Sequence, residues 1–163
     1  MTDLTMRERQ EIDRANVSGL QPVVFVHGLW LLSNSWDHWR AFFEGQGYVT
    51  LAPGWPGDPE TVEAAKQDPD IFANRRLQEV TDHYIDAIRQ LKFKPVVIGH
   101  SFGGLIAQQL AGEGLAVVTV AIDPAPFRGV LSLPLSALKS SSAVLGNPLN
   151  YTRAVPLSYE QFR

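Results

Sequence analysis

Cysteine is absent from the chain. Disulfides, a thiol nucleophile and thiolate metal sites are thereby excluded. No run of residues approaches the roughly 20 consecutive apolar positions of a membrane-spanning helix. The first 19 residues, MTDLTMRERQEIDRANVSG, are polar and charged. They lack the apolar core of a secretory signal, so a cytoplasmic location is the default expectation. Lys and Arg number 14 against 17 Asp and Glu, a net charge of -3, and no basic stripe or cluster stands out. Neither nucleic acid nor an anionic membrane is an expected partner. Histidine is also sparse: the four residues are His27, His38, His83 and His100, and none follows position 100. No pair of them has the close helical spacing of a zinc site, so no metal and no cofactor is expected.

What is present reads as one globular α/β domain. The chain has 163 residues, 45% of them apolar and 19% charged. That length buries roughly two-thirds of the unfolded surface. Residues 22–27 (PVVFVH), 48–52 (YVTLA), 96–98 (VVI) and 117–122 (VVTVAI) are short apolar runs of the kind that suits strands buried on both faces. Between them lie helical patterns. Trp36, Trp39, Phe42 and Phe43 recur at helical spacing behind Ser35, a candidate N-cap, with Trp36 and Trp39 expected in the core. Leu77, Val80, Tyr84, Ile88 and Leu91 form one stripe. Residues 102–111 precede Gly112 and Gly114. Alternation of this kind predicts a mostly parallel sheet of about four strands with helices on both faces. The expected organisation is a flexible arm or frayed helix over 1–19, a core over 20–125, and a proline-broken, leucine-bearing lid-like segment over 126–163.

The chemistry concentrates in VVIGHSFGG, residues 96–104. Here an apolar run feeds G-x-S-x-G, the pattern of a sharp strand-to-helix turn that lifts a serine hydroxyl out of the sheet. Ser101 is therefore the candidate nucleophile. Gly99 and Gly103 let the turn close, and the helix that follows directs its positive end at the site. A serine simply capping a helix is the alternative. The second element is His27-Gly28-Leu29-Trp30, at the end of the first strand. Backbone N–H groups of Leu29 and Phe102 are placed to form an oxyanion hole, one from each loop. His27 reads as a structural, backbone-bonding group. His38 and His83, within helices, are expected to face solvent. His100 neighbours Ser101 along the chain, so its ring should point elsewhere. Asp123, at the end of the last strand, is a weak candidate acid, with turn chemistry favoured. In this pattern the order is Ser, then Asp or Glu, then His. The residues in hand thus comprise a nucleophile without its acid and base.

These motifs, together with Leu51-Ala52-Pro53-Gly54-Trp55-Pro56-Gly57, resemble the α/β-hydrolase superfamily. The similarity is to its small esterase and hydroxynitrile-lyase-like members, over residues 20–125. The resemblance implies a partial α/β-hydrolase fold corresponding to the front of that architecture. It implies Ser101 as nucleophile, Leu29 and Phe102 as oxyanion donors, and a cap beginning after Asp123. The expected activity is hydrolysis of a carboxylic ester or similar acyl compound, with lyase chemistry using the same serine as a variant. The acid and base would come from residues outside this sequence or from a partner chain. The competing reading is a non-catalytic binding module or an inactive short product. Leucines of the lid-like segment and the tryptophans favour a small substrate with an apolar acyl or alkyl part. Without further strands, residues 117–122 would form an open apolar edge, which invites self-association.

Overall fold

Five consecutive uncharged residues, Pro22–Val26, form strand β1, and all five are buried. A strand without a polar face belongs in the middle of a sheet covered on both sides. That is where it lies. Strands β2 (Val49–Leu51), β3 (Val96–His100) and β4 (Val118–Ile122) complete a four-stranded sheet of order β2-β1-β3-β4. All pairings are parallel. The register aligns Val26 with Gly99 and Gly99 with Ala121, so the three neighbouring strands end at one level. The computed structural model describes residues 3–130 and, beyond them, positions 142, 146–148, 150, 154–155 and 158. Most of the segment expected as a lid therefore lies outside the described residues.

Helices α1 (Met6–Ser18), α2 (Asp37–Gly45), α3 (Val62–Gln67), α4 (Leu77–Ile88) and α5 (Phe102–Gly112) surround the sheet. On one face Val24, Val26 and Val97 pack against Ile12, Val80, Tyr84, Ile106 and Leu110, from α1, α4 and α5. On the other, Val23, Phe25 and Ile98 pack against Trp36, with Phe43 alongside. Phe25 stacks on Trp36 at 4.9 Å between ring centres. Among the described residues no helix is long and apolar enough to cross a membrane.

Several sequence expectations need correction. Residues 3–19, expected as a flexible arm or frayed helix, are neither loose nor frayed. Met6–Ser18 form α1, opened by a reciprocal cap in which Glu8 N donates to Thr5 Oγ1 and Thr5 N to Glu8 Oε2. Its polar face is spent on the sheet. Arg14 Nη2 donates to the Thr50 carbonyl (2.7 Å), and Arg7 Nη1 to the Ala52 carbonyl (3.0 Å). Glu11 Oε2 accepts from Ala52 N (3.1 Å) and Glu8 Oε1 from Gly54 N (3.1 Å). Residues 50, 52 and 54 alternate, which is the period at which an edge strand turns its free backbone groups outward. Residues 7, 8, 11 and 14 share one helix face. Side chains of α1 thus take the place of a neighbouring strand.

Ser35 does not cap α2: it sits within a short 3₁₀ turn, Ser33–Trp36, and Trp36 stands at the cap position. Trp36 is core, but Trp39 is 46% exposed, because α2 rests on the sheet over the β1–β2 half. β4 is not buried on both faces: Val118 is 54% and Val120 42% exposed. The stripe expected to reach Leu91 is helical only to Ile88.

Candidate active site

The site forms where β3 stops. Ser101 has φ 56° and ψ -121°, a conformation that costs a non-glycine residue about 1–3 kcal/mol and persists only where its surroundings enforce it. The surroundings are closely fitted. Ser101 N donates to the Ile122 carbonyl (3.0 Å), and the Ser101 carbonyl accepts from Leu105 N (3.1 Å) and Ala125 N (2.9 Å). A methyl group on Gly99 would collide with the Gly103 carbonyl, and one on Gly103 with the Val26 carbonyl. Bare backbone is the only thing that fits between β1, β3 and the start of α5. At Gly28 an added carbon would lie 3.0 Å from Ser101 Cβ, so the loop after β1 lies directly against the serine.

Phe102, the first residue of α5, and Leu29, in the turn after β1, are both half-buried beside this point, as is Ser101 itself. Among the described residues, four non-glycine positions have positive φ: Trp30, Asn74, Ser101 and Asp123. Three of the four follow the carboxyl ends of β1, β3 and β4. In open parallel sheets ligands bind at that end. Trp30 is 48% exposed, and its Nε1 donates to the Val155 carbonyl (3.2 Å). Asp123 is exposed in the turn that buttresses the serine backbone, and Pro124 packs against Gly104.

The histidines are dispersed. His38 is exposed on α2. His100 lines an open apolar hollow with Leu31, Ser35, Trp36, Trp39 and Ile122. His83, expected at the surface, is buried on α4 with Nε2 3.0 Å from Glu8 Oε1. Burial pushes the Glu8 carboxyl up, but the hydrogen bonds from His83 and Thr5 outweigh it and hold the group below its ordinary value. His27 is buried too. Its Nδ1 stands 3.0 Å from the Gly28 carbonyl and its Nε2 3.1 Å from Asp58 Oδ2. That second approach has an ion-pair distance but is not a hydrogen bond. Among the described residues no histidine hydrogen-bonds the Ser101 hydroxyl.

The sequence marks the loop after β2 as part of the family resemblance but assigns Asp58 no role. Asp58 Oδ2 accepts from Trp55 N (2.9 Å), its Oδ1 meets Arg75 Nη1 (3.1 Å), and the Trp55 ring stacks on His27 at 5.3 Å. Tyr84 Oη donates to the Pro53 carbonyl at 2.7 Å. Burial, reinforced by the Asp58 and Glu8 charges, pushes that phenol well above its usual range, so it remains a donor. Proline, glycine and aspartate at 53–59 announce a turn. One signal in the string was available, a lone carboxylate in a loop at the carboxyl end of a strand. Its partners come from residues 27 and 75, which only folding brings near.

Comparison with known proteins agrees with this geometry. A model of the alpha/beta hydrolase family matches residues 23–161. No curated protein matches the sequence. Among solved structures, an extracellular alpha/beta-hydrolase from a Paenibacillus species is 23% identical with a TM-score of 0.61, covering 83% of this chain and 55% of its own. A monoacylglycerol lipase from Paleococcus ferrophilus is also 23% identical, with a TM-score of 0.52 and coverage of 76% and 47%. Epoxide hydrolase A from Mycobacterium thermoresistibile is 22% identical, with a TM-score of 0.52 and coverage of 75% and 38%. The chain thus spans about half the length of these solved structures or less. A four-stranded parallel sheet, a strained serine between its third strand and the next helix, and a family match over most of the sequence lead to one conclusion: the chain belongs to the alpha/beta hydrolase family.

Proposed function

We propose that the chain carries the nucleophile half of a serine hydrolase acting on esters or similar acyl compounds through an acyl-enzyme. The observation that carries this reading is the backbone of Ser101, held at positive φ between β3 and α5 with Gly28 packed on its Cβ. Such strain is retained where it presents a group for use. Ser101 Oγ attacks the carbonyl carbon as its proton leaves to a base. Negative charge collects on the former carbonyl oxygen, facing the N–H groups of Leu29 and Phe102 and the positive end of α5. Collapse of that adduct expels the leaving alcohol, which takes up the proton. Water then repeats the sequence on the acyl-enzyme and releases the acid.

The base and its orienting acid are assigned to residues other than the four histidines and Asp123. His27 and His83 are each engaged with a buried carboxylate, His38 faces solvent, and His100 lines the hollow beside α2. Proton transfer of this kind contributes about 100- to 10,000-fold, so reactivity of this stretch by itself is low. Apolar side chains near the carboxyl ends of the strands, Trp30 and Leu31, favour an acyl or alkyl substrate part.

The test is covalent. A fluorophosphonate probe should label the folded chain at Ser101, and Ser101→Ala should abolish the adduct. A folded chain that takes no label, even at long exposure and high probe concentration, would leave the non-catalytic binding module as the reading.

A further inference from the structure

We infer that Asp58 is a positioning residue for the oxyanion loop, acting through His27. This rests on the reading of Ser101 as nucleophile and adds a residue to it. The loop in question, residues 28–30, carries the Leu29 N–H and a strained Trp30 at φ 61°. At its far end the half-exposed Trp30 donates from Nε1 to the Val155 carbonyl (3.2 Å), and Gly28, without a side chain, rests against Ser101. The rigid group next to the loop is His27, whose side chain is 2% exposed.

Three contacts hold that ring. Its Nδ1 lies 3.0 Å from the Gly28 carbonyl, which belongs to the peptide unit that supplies the Leu29 N–H. Its Nε2 lies 3.1 Å from Asp58 Oδ2. Its face stacks on Trp55 at 5.3 Å. Two of the three depend on Asp58, because Asp58 Oδ2 also accepts from Trp55 N at 2.9 Å and so sets the stacking residue. Asp58 is itself fixed from behind by Arg75 Nη1 at 3.1 Å, just before α4, and its side chain is 6% exposed.

A buried carboxylate with nothing to hold is costly, and a buried ion pair such as Asp58–Arg75 is by itself weak evidence of a purely stabilising role. Here the carboxylate joins the end of β1, the loop after β2 and the approach to α4 at the one point where they meet the site. An oxyanion donor must be held within a fraction of an ångström of its target, and a misplacement of about 1 Å can cost roughly 100-fold in rate. The chain Arg75–Asp58–His27–Gly28 supplies that support to the Leu29 amide.

The experiment compares Asp58→Asn with the parent protein. Asparagine keeps the size and the acceptor for Trp55 N but removes the charge facing His27 and Arg75. Amide hydrogen exchange at Leu29 and Trp30 should rise tenfold or more, while exchange at Val24 and Val97 in the sheet stays unchanged. Phosphonylation of Ser101 should slow by about 10- to 100-fold. Arg75→Gln, acting one step further away, should give the same pattern at smaller amplitude and serves if Asp58→Asn does not fold. Unchanged exchange at Leu29 and Trp30 in Asp58→Asn or Arg75→Gln overturns the proposal, whether or not Ser101 reacts. Absence of label in the parent protein sinks the nucleophile reading alone, because the exchange result still decides the role of Asp58.

Discussion

The two edges of this sheet are finished in opposite ways. Along β2, the outward backbone groups of Thr50, Ala52 and Gly54 are met by Arg14, Glu11, Arg7 and Glu8 of α1. Along β4, the described residues leave Val118 and Val120 exposed, and the strand VTVAI has no charge and no proline. Edges are where sheets recruit other strands, and natural proteins blunt them with charge, irregularity or cover. The β2 edge has cover of an unusual kind. A helix cannot pair with a strand through its own backbone, which is already consumed in helical bonds, so it does so through long charged side chains of alternating sign. The lesson is that polar composition does not mean a loose segment. The polar residues of α1 are those that dock it.

Removing residues 1–19 should have the largest effect. It strips Leu4, Ile12 and Ala15 from the core and frees the β2 edge, and the expected outcome is an aggregating or unfolded product, read by size-exclusion chromatography and circular dichroism. Glu8→Ala comes next. It strands the Gly54 N–H and the ring of His83 in a buried site, and an unsatisfied buried group costs about 1–3 kcal/mol. Urea midpoints would register that loss. Acid should probe the same contact. The Glu8 carboxyl is held below 4.5 in the folded protein, so its contribution is complete above that unfolded value and fades as pH falls through the lower folded one. Stability should therefore drop on the acid side of about pH 4.5, and Glu8→Gln should flatten that limb of a midpoint-against-pH curve. On the other edge, Val120→Lys should change stability by only about 0.5 kcal/mol or less, because the position is already half exposed. Its signature should be reduced self-association in a dilution series followed by light scattering. Equal association of parent and variant would show that the open edge recruits nothing.

Legibility in the string followed locality. Runs such as PVVFV and VVIGH declare their strands because burial on both faces leaves no room for polar residues, and the order of strands and helices then points to a parallel sheet. G-x-S-x-G declares its turn because no residue but glycine fits between Gly99 and Gly103 and their neighbours' carbonyls. The partners of Glu8, His83, His27 and Asp58 were hidden. Each pair is separated by tens of residues, and a charged or imidazole side chain carries no periodicity that tells an exposed position from a buried, paired one.

Sequence alone determined the four strands, the helices α2, α4 and α5, the parallel sheet and the serine at its carboxyl end, since these follow from backbone sterics and the spacing of apolar residues. Tertiary structure decided which polar residues are surface and which are mortar: that α1 closes an edge, that His83 is interior, and that Asp58 stands behind the loop facing Ser101. Those outcomes depend on distance in space between groups far apart in the chain, and electrostatic and hydrogen-bond energies exist only once that distance is closed.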